Sequence, residues 1–596
     1  LPLSDYNNLE NCTEVLNLTR PDAVQQIHES FFEVGCDAVE TNTFGAMPHV
    51  LTEFDLQDQA HEINRKAVQI ARAAADKHST DDKPRFVVGS MGPGTKLVTL
   101  DQITWDDMLA SYTAQAKGML DGDERPDVLL IETCQDVLQS KCAVNACIDA
   151  QRELGIWDTD DRVPIWVQVT IETTGTMLVG TDINAALVAL QQMPIDGIGL
   201  NCATGPQEMS EHVRFLGRHA KLPISVLPNA GLPVMQDGET VFPLKPKDLA
   251  AAMVDFVERD GVNLIGGCCG TTPEHLQAVI EKIGDREPVQ REPELTPQCS
   301  SLYSAVDFKQ ETSVLMVGER TNANGSRKFK RLLSEEDWDG LVSMARDEVK
   351  GGAHLLDVCV DYVGRDGVAD MTEVVKRYVQ QVSVPLMIDS TEPPVLEAAL
   401  KLAGGKCIVN SINLEDGEER LNDVCPLLHR FGAAVVALTI DEDKEAGMAK
   451  TADRKLEIAE RLHDLCTSKW GLKETDILFD PLTFTICTGN EADRRLGLET
   501  LDGIEAIAKR FPECGILLGL SNISFGLKPA ARQVLNSVFL QEAIERGLTA
   551  AIVHPSKILP QHRVPEEQWQ AALDLIYDKR EEGKDPLIDF INLFPE

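Results

Sequence analysis

"AHLLDVCV" (residues 353–360) and "PLMIDS" (385–390) are short aliphatic runs, each broken off by an aspartate and separated by a stretch of helical pattern. They are too short for buried helices and too continuously apolar for a half-exposed strand, so they read as strands of a parallel sheet covered on both faces. Working outward, the same unit recurs at "SVLMVGER" (313–320), "CIVNSIN" (407–413), "AVVALTID" (434–441), "ILFDPLT" (477–483), "GILLGLSN" (515–522) and "AAIVHPS" (550–556). Eight strand–helix units in about 250 residues describe a (β/α)8 barrel. The first half repeats the pattern seven times, at 38–42, 85–92, 128–134, 165–171, 197–202, 223–231 and 263–270. The predicted fold is α/β, with two consecutive TIM-type (β/α)8 barrels, the first lacking its opening strand. The expected divisions are a barrel over 1–285, a proline-bearing linker over 286–304, a second barrel over 305–560 and a helical segment over 561–596.

A chain of 596 residues is too long for one core, in keeping with two large domains. The net charge of −40 argues against nucleic acid and anionic membrane surfaces as partners. No apolar run approaches the roughly 18 residues of a membrane span. Fifteen scattered cysteines, in a chain that opens without a secretory pattern, fit the reduced thiols of a cytoplasmic enzyme.

Nearly every strand run ends in groups able to bind or react, which is where barrel active sites lie. In the first half these are Glu40 with Asn42, Glu132, Glu172, Asn201 with Cys202, Asn229, and Cys268 with Cys269. Gly266, Gly267 and Gly270 let the backbone turn both adjacent sulfurs toward one point. Three thiolates with an open fourth position suit a catalytic zinc ion that activates a thiol substrate for alkylation. The alternative is that Cys202 is a small buried hydrophobe and the pair only packs. In the second half the endings are Glu319 to Asn322, Asp357, Asp389, Asn410, Asp480 and Asn522. Carboxylates and amides in one mouth suit a flat heterocycle with several N–H donors and carbonyl acceptors, although helix capping and ion pairing would use the same residues.

"ETNTFGA" (40–46), "GSMGPGTK" (89–96), "GLNCATGP" (199–206), "LPNAG" (227–231) and "GGCCGTTPEHL" (266–276) together resemble the zinc-dependent homocysteine methyltransferases, from about residue 20 to 285. The resemblance implies that Cys202, Cys268 and Cys269 bind Zn2+, with Asn229 at the fourth position when substrate is absent. Glu40, Asn42 and Glu132 are then the candidate homocysteine anchors. The family's Asp-Gly-Gly/Ala-x-Gly-Thr motif of the first strand is absent from the sequence, in line with the missing strand. The second half, over roughly 305–560, resembles the pterin-binding barrels of folate-dependent methyltransferases and dihydropteroate synthase. By position Asp357, Asp389, Asn410 and Asp480 would hold the pterin ring, in a mouth shared with Glu319 and Asn322. Asn522 would lie near the methyl-bearing nitrogen as the catalytic residue, and Arg532 near the cofactor tail.

This order of barrels resembles the N-terminal half of the cobalamin-dependent methionine synthase family. It implies methyl transfer from 5-methyltetrahydrofolate via cobalamin to zinc-activated homocysteine, giving methionine and tetrahydrofolate. No Asp-x-His-x-x-Gly motif occurs in the sequence, so cobalamin would be bound by a module outside this chain, in cis or in trans, toward which 561–596 would lead. The competing readings are a zinc-dependent homocysteine methyltransferase that uses another methyl donor, and an inactive folate- or thiol-binding module.

Overall fold

Leucine-, isoleucine- and valine-rich runs bounded by glycine and proline form the strands, and the longer amphipathic stretches between them form the covering helices. The computed structural model describes residues 1–595. It divides into two units, Leu1–Thr296 and one beginning at Pro297.

The first unit holds a curled sheet of seven parallel strands in sequential order. They are β1 (Ala38–Glu40), β2 (Phe86–Met91), β3 (Val128–Cys134), β4 (Ile165–Val169), β5 (Gly197–Asn201), β6 (Ile224–Leu227) and β7 (Leu264–Ile265). All seven strands read from the sequence form. The last is much shorter than its predicted run, because Gly266 and Gly267 lead the chain out of the ladder after two paired residues. Between β6 and β7 lies an antiparallel hairpin, Val234–Gln236 with Glu239–Val241. Its turn residues Asp237 and Gly238 both have positive φ, 52° and 85°, as a two-residue turn between twisted strands requires.

The second unit is a closed barrel of eight parallel strands. These are β8 (Leu315–Gly318), β9 (Leu355–Val358), β10 (Leu386–Asp389), β11 (Ile408–Ile412), β12 (Ala434–Leu438), β13 (Ile477–Asp480), β14 (Gly515–Gly519) and β15 (Ala550–Val553). Pairing of Leu315–Gly318 with Ala550–Val553 closes it. Inward residues from its strands, such as Leu355, Met387, Ile408 and Leu478, pack into one buried cluster near the amino ends. That packing leaves the carboxyl ends for polar groups.

The last third of the stretch read as a linker is structured. Gln298–Ser300 and Ala305–Asp307 form an antiparallel ribbon, and Cys299 and the neighbouring Phe308 join the barrel's buried cluster. The prolines end before the ribbon, and its apolar residues plug the amino-terminal end of the barrel. Residues beyond 560 also dock. The helix Glu566–Ile576 buries Trp569, Ala572, Leu575 and Ile576, and the helix Pro586–Asn592 buries Leu587 and Phe590. No helix among the described residues is long and apolar enough to cross a membrane.

Candidate functional site

At the carboxyl ends of β5 and β7, the sulfurs of Cys202, Cys268 and Cys269 lie within 4.8 Å of one another. Backbone hydrogen bonds clip the three loops together: Cys202 N donates to Leu227 O (3.0 Å), Cys268 N to Pro228 O (2.8 Å) and Ala230 N to Cys269 O (2.9 Å). Cys202 and Ala203 both adopt left-handed backbone, φ 57° and 63°. Non-glycine residues hold that conformation at a cost of roughly 1–3 kcal/mol and only where the surroundings impose it. Of the fifteen cysteines eleven are buried, whereas Cys269 is exposed and Cys202, Cys268 and, outside this site, Cys487 are partly so. A tetrahedral zinc site with Zn–S bonds of about 2.3 Å needs sulfurs roughly 3.8 Å apart, and Cys202 Sγ lies 3.8 Å from Cys269 Sγ. The donor set fits the metal. Hydrogen bonds from the thiols of Cys202 and Cys268 push Cys269 down to about 3 and burden Cys268 with the proton. One thiolate is therefore already stabilised by its neighbours.

Asn229 is buried, and its Oδ1 accepts from Cys269 N at 3.1 Å. Its carbonyl oxygen thus secures the loop that carries the cysteine pair. Glu132 lies close enough for its charge to act on both Cys202 and Cys269. Burial raises Glu132 to about 7, against hydrogen bonds from Ser90 and Glu40. Glu40 is raised well above the carboxylate range by desolvation and by Glu132. The two carboxyls therefore share a proton at neutral pH. Asn201 Nδ2 donates to Thr133 Oγ1 (2.8 Å) and toward Glu132 Oε2 (3.3 Å), while Thr133 N donates to Asn201 Oδ1 (2.8 Å). Asn201 and Ser90, the latter not singled out from the sequence, thereby order Glu132. Asn42 departs from expectation. Its amide donates to Thr13 O (2.8 Å) and Asn17 Oδ1 (3.2 Å), so it ties down the segment before β1 instead of joining the carboxyl pair.

In the second unit, Asn322 Nδ2 donates to Asp357 Oδ2 (2.8 Å) and Asp389 Oδ2 (3.1 Å), joining three predicted residues directly. Asn410 completes the group from β11, near enough for its amide to favour the ionised form of Asp357. Desolvation raises Asp357 to about 6, and desolvation together with the charge of Asp357 raises Asp389 further. Asp389 is thus the protonated donor and Asp357 the acceptor. Asp480, at the end of β13, is also raised to about 6 by burial, and its Oδ1 accepts from Leu482 N at 2.9 Å. Glu319 accepts from Ser521 Oγ at 2.7 Å, and burial raises its pKa.

Asn522 sits exposed on the turn Leu520–Ser524 after β14. Arg532, expected near a cofactor tail, instead braces this turn. Its Nε donates to Ser524 Oγ (3.0 Å) and its Nη2 to Ser521 O (2.9 Å). The guanidinium is drawn to these oxygens because the helix Pro529–Arg546 begins directly after the turn.

The two units match different families. Residues 3–283 match the model described as homocysteine S-methyltransferase, and residues 318–554 match that described as pterin binding enzyme. The chain is 51% identical over 597 residues to the methionine synthase of Mycobacterium tuberculosis, and 51% identical over 602 residues to that of Mycobacterium leprae. Each alignment covers 100% of this chain and 49% of the relative, so the chain spans about half the length of the curated relatives it matches. The solved structure of a homocysteine methyltransferase from Escherichia coli, in its metallated form, aligns with 47% of this chain and 92% of its own, at a TM-score of 0.37 and 18% identity.

Proposed function

We propose that this chain, which joins a homocysteine S-methyltransferase domain to a pterin-binding domain, transfers a methyl group from 5-methyltetrahydrofolate, by way of a cobalamin held outside residues 1–596, to homocysteine. The observation that carries the reading is the convergence of three cysteine sulfurs within 4.8 Å at one strand-end mouth, in a chain whose other unit gathers carboxylates and amides at its own mouth. Cys202, Cys268 and Cys269 would hold zinc, and Asn229 would secure their loop. When bound, zinc supplies the Lewis acidity that ionises a thiol at neutral pH, and cobalamin supplies a cobalt centre that accepts and releases methyl groups.

Everything else falls to the chain itself. The Glu40–Glu132 pair, half protonated at neutral pH, offers one acceptor and one donor to the amino-acid end of homocysteine. Asp357 and Asp480 accept N–H groups of the pterin edge, the Asn410 amide donates to one of its acceptors, protonated Asp389 donates to Asp357 and holds it in its accepting form, and Asn322 fixes the two aspartates relative to each other. The Asn522 amide, presented on a turn braced by Arg532, stabilises a proton on the methyl-bearing nitrogen, which makes that methyl electrophilic. A cytoplasmic site of action is supported by eleven cysteines kept as buried thiols.

Two half-reactions test the proposal. The purified chain should contain one zinc per molecule, convert homocysteine with added methylcobalamin, and demethylate 5-methyltetrahydrofolate with added cob(I)alamin. Loss of the second reaction alone would leave a homocysteine methyltransferase with another donor, and loss of both would leave a binding module.

A further inference from the structure

The helix Ala452–Asp464 carries a lysine where its apolar face should be. Lys455, Ile458, Ala459 and Leu462 are its buried positions, spaced as the inward stripe of an amphipathic helix. Lys455 is fully buried, with 0% of its surface exposed. A charge in that position is stable only when its donors are satisfied. Its ammonium donates to Ala449 O (2.8 Å), Leu482 O (3.2 Å) and Pro481 O, three neutral carbonyls. It also lies 5.3 Å from the centre of the Phe484 ring.

Two of those carbonyls belong to the turn directly after Asp480. That turn is strained, because Leu482 holds φ +68°. Its backbone N–H is the one that donates to Asp480 Oδ1. A second anchor, Thr500 Oγ1, donates to Leu482 O at 3.0 Å. The lysine's route to the turn is also built. A Cβ on Gly503, in the helix Leu496–Arg510, would lie 2.6 Å from Lys455 Cδ, so glycine there leaves the corridor for the stem.

We propose that Lys455 is a positioning residue for the second site. By binding the carbonyls of Pro481 and Leu482 it holds the turn that aims the Asp480 carboxylate, and so makes Asp480 an effective acceptor for the N–H edge of a pterin. The role rests on the pterin reading of this site. Burial lowers Lys455 to about 7, with the charge of Asp480 acting against that shift, and in its protonated form the lysine in turn opposes the effect of burial on Asp480.

Calorimetric titration with 5-methyltetrahydrofolate tests both levels separately. If the unaltered chain shows no binding, the pterin reading itself fails and this role goes with it. If it binds, Lys455→Met should weaken affinity at least tenfold, as should Asp480→Asn. The decisive comparison is the double variant. Because Lys455 acts through Asp480, adding Lys455→Met to Asp480→Asn should produce little further loss, whereas additive losses would show that the lysine only supports the fold and would overturn the proposal. Gly503→Ala is the second route. It keeps the charge, favours the helix and displaces the lysine stem, so it should weaken binding several-fold, again only while Asp480 is present. Unaltered affinity in Gly503→Ala would overturn the role even if Lys455→Met failed to fold.

Discussion

Asp357 and Asp389 are chemically identical side chains with opposite tasks. Burial disfavours charge on both, and their proximity allows only one to ionise readily, while Asn322 donates to both. With Asp389 holding the proton, an amide can replace it and still donate to Asp357. Asp389→Asn should therefore retain 5-methyltetrahydrofolate binding within a few-fold, whereas Asp357→Asn removes the acceptor and should weaken binding by about 1–3 kcal/mol. Equal losses in equilibrium titrations would refute this division. The same groups set a pH dependence. Asp357 and Asp480 titrate near 6, above the ordinary carboxylate value, so they become neutral as pH falls through 6 and cease to accept N–H groups. Folate affinity should fall by about tenfold per pH unit for each group below that point, read as dissociation constants between pH 7.5 and 5.

At the scale of elements, the loop after β7 does what a strand could not. Successive strand residues face opposite sides, but the chain leaves the ladder after Ile265 and turns both cysteines into one site. Gly270 closes that turn with φ +77°, and a Cβ there would sit 2.4 Å from the Cβ of Phe242. Gly270→Ala should consequently lower zinc affinity at least tenfold with all three cysteines intact, measured by competition with a chelator. Retention equal to the unaltered chain would show that the loop does not depend on this glycine. How far such features were legible follows from their physics. The strands were readable because parallel sheets buried on both faces are written as unbroken apolar runs, and the polar strand ends marked both mouths. The hairpin at 234–241 carried a signal too, the Asp237–Gly238 pair between short alternating runs. Lys455 was hidden because a lysine in a helix is ordinarily solvated, and only its place on the stripe with Ile458, Ala459 and Leu462 betrays it. The roles of Asn42 and Arg532 were not readable at all, since each depends on which neighbouring oxygens the fold brings within reach.

For the whole molecule, the question is whether the two sites act as one. The cysteines and the groups that order them, Asn229, Glu132, Ser90 and Asn201, all belong to the unit Leu1–Thr296. Asn522, its brace Arg532 and the aspartate cluster all belong to the unit beginning at Pro297. Each site is built from its own strand ends and supported by its own core, so substitutions in one should leave the other's chemistry close to intact. Asn522→Ala should slow methyl transfer from 5-methyltetrahydrofolate to cob(I)alamin by about a hundredfold, the lower range for losing a group that assists proton transfer. Transfer from methylcobalamin to homocysteine should stay within two- to threefold in the same preparation. Replacing Cys268 and Cys269 together by serine should give the reverse, because hydroxyls supply neither the charge nor the softness that zinc requires of these positions. That variant should lose its zinc and the homocysteine reaction while keeping the folate reaction. If Asn522→Ala abolished both reactions in a chain that kept its zinc, the two sites would have to be energetically coupled, and the division of labour between the units would be wrong.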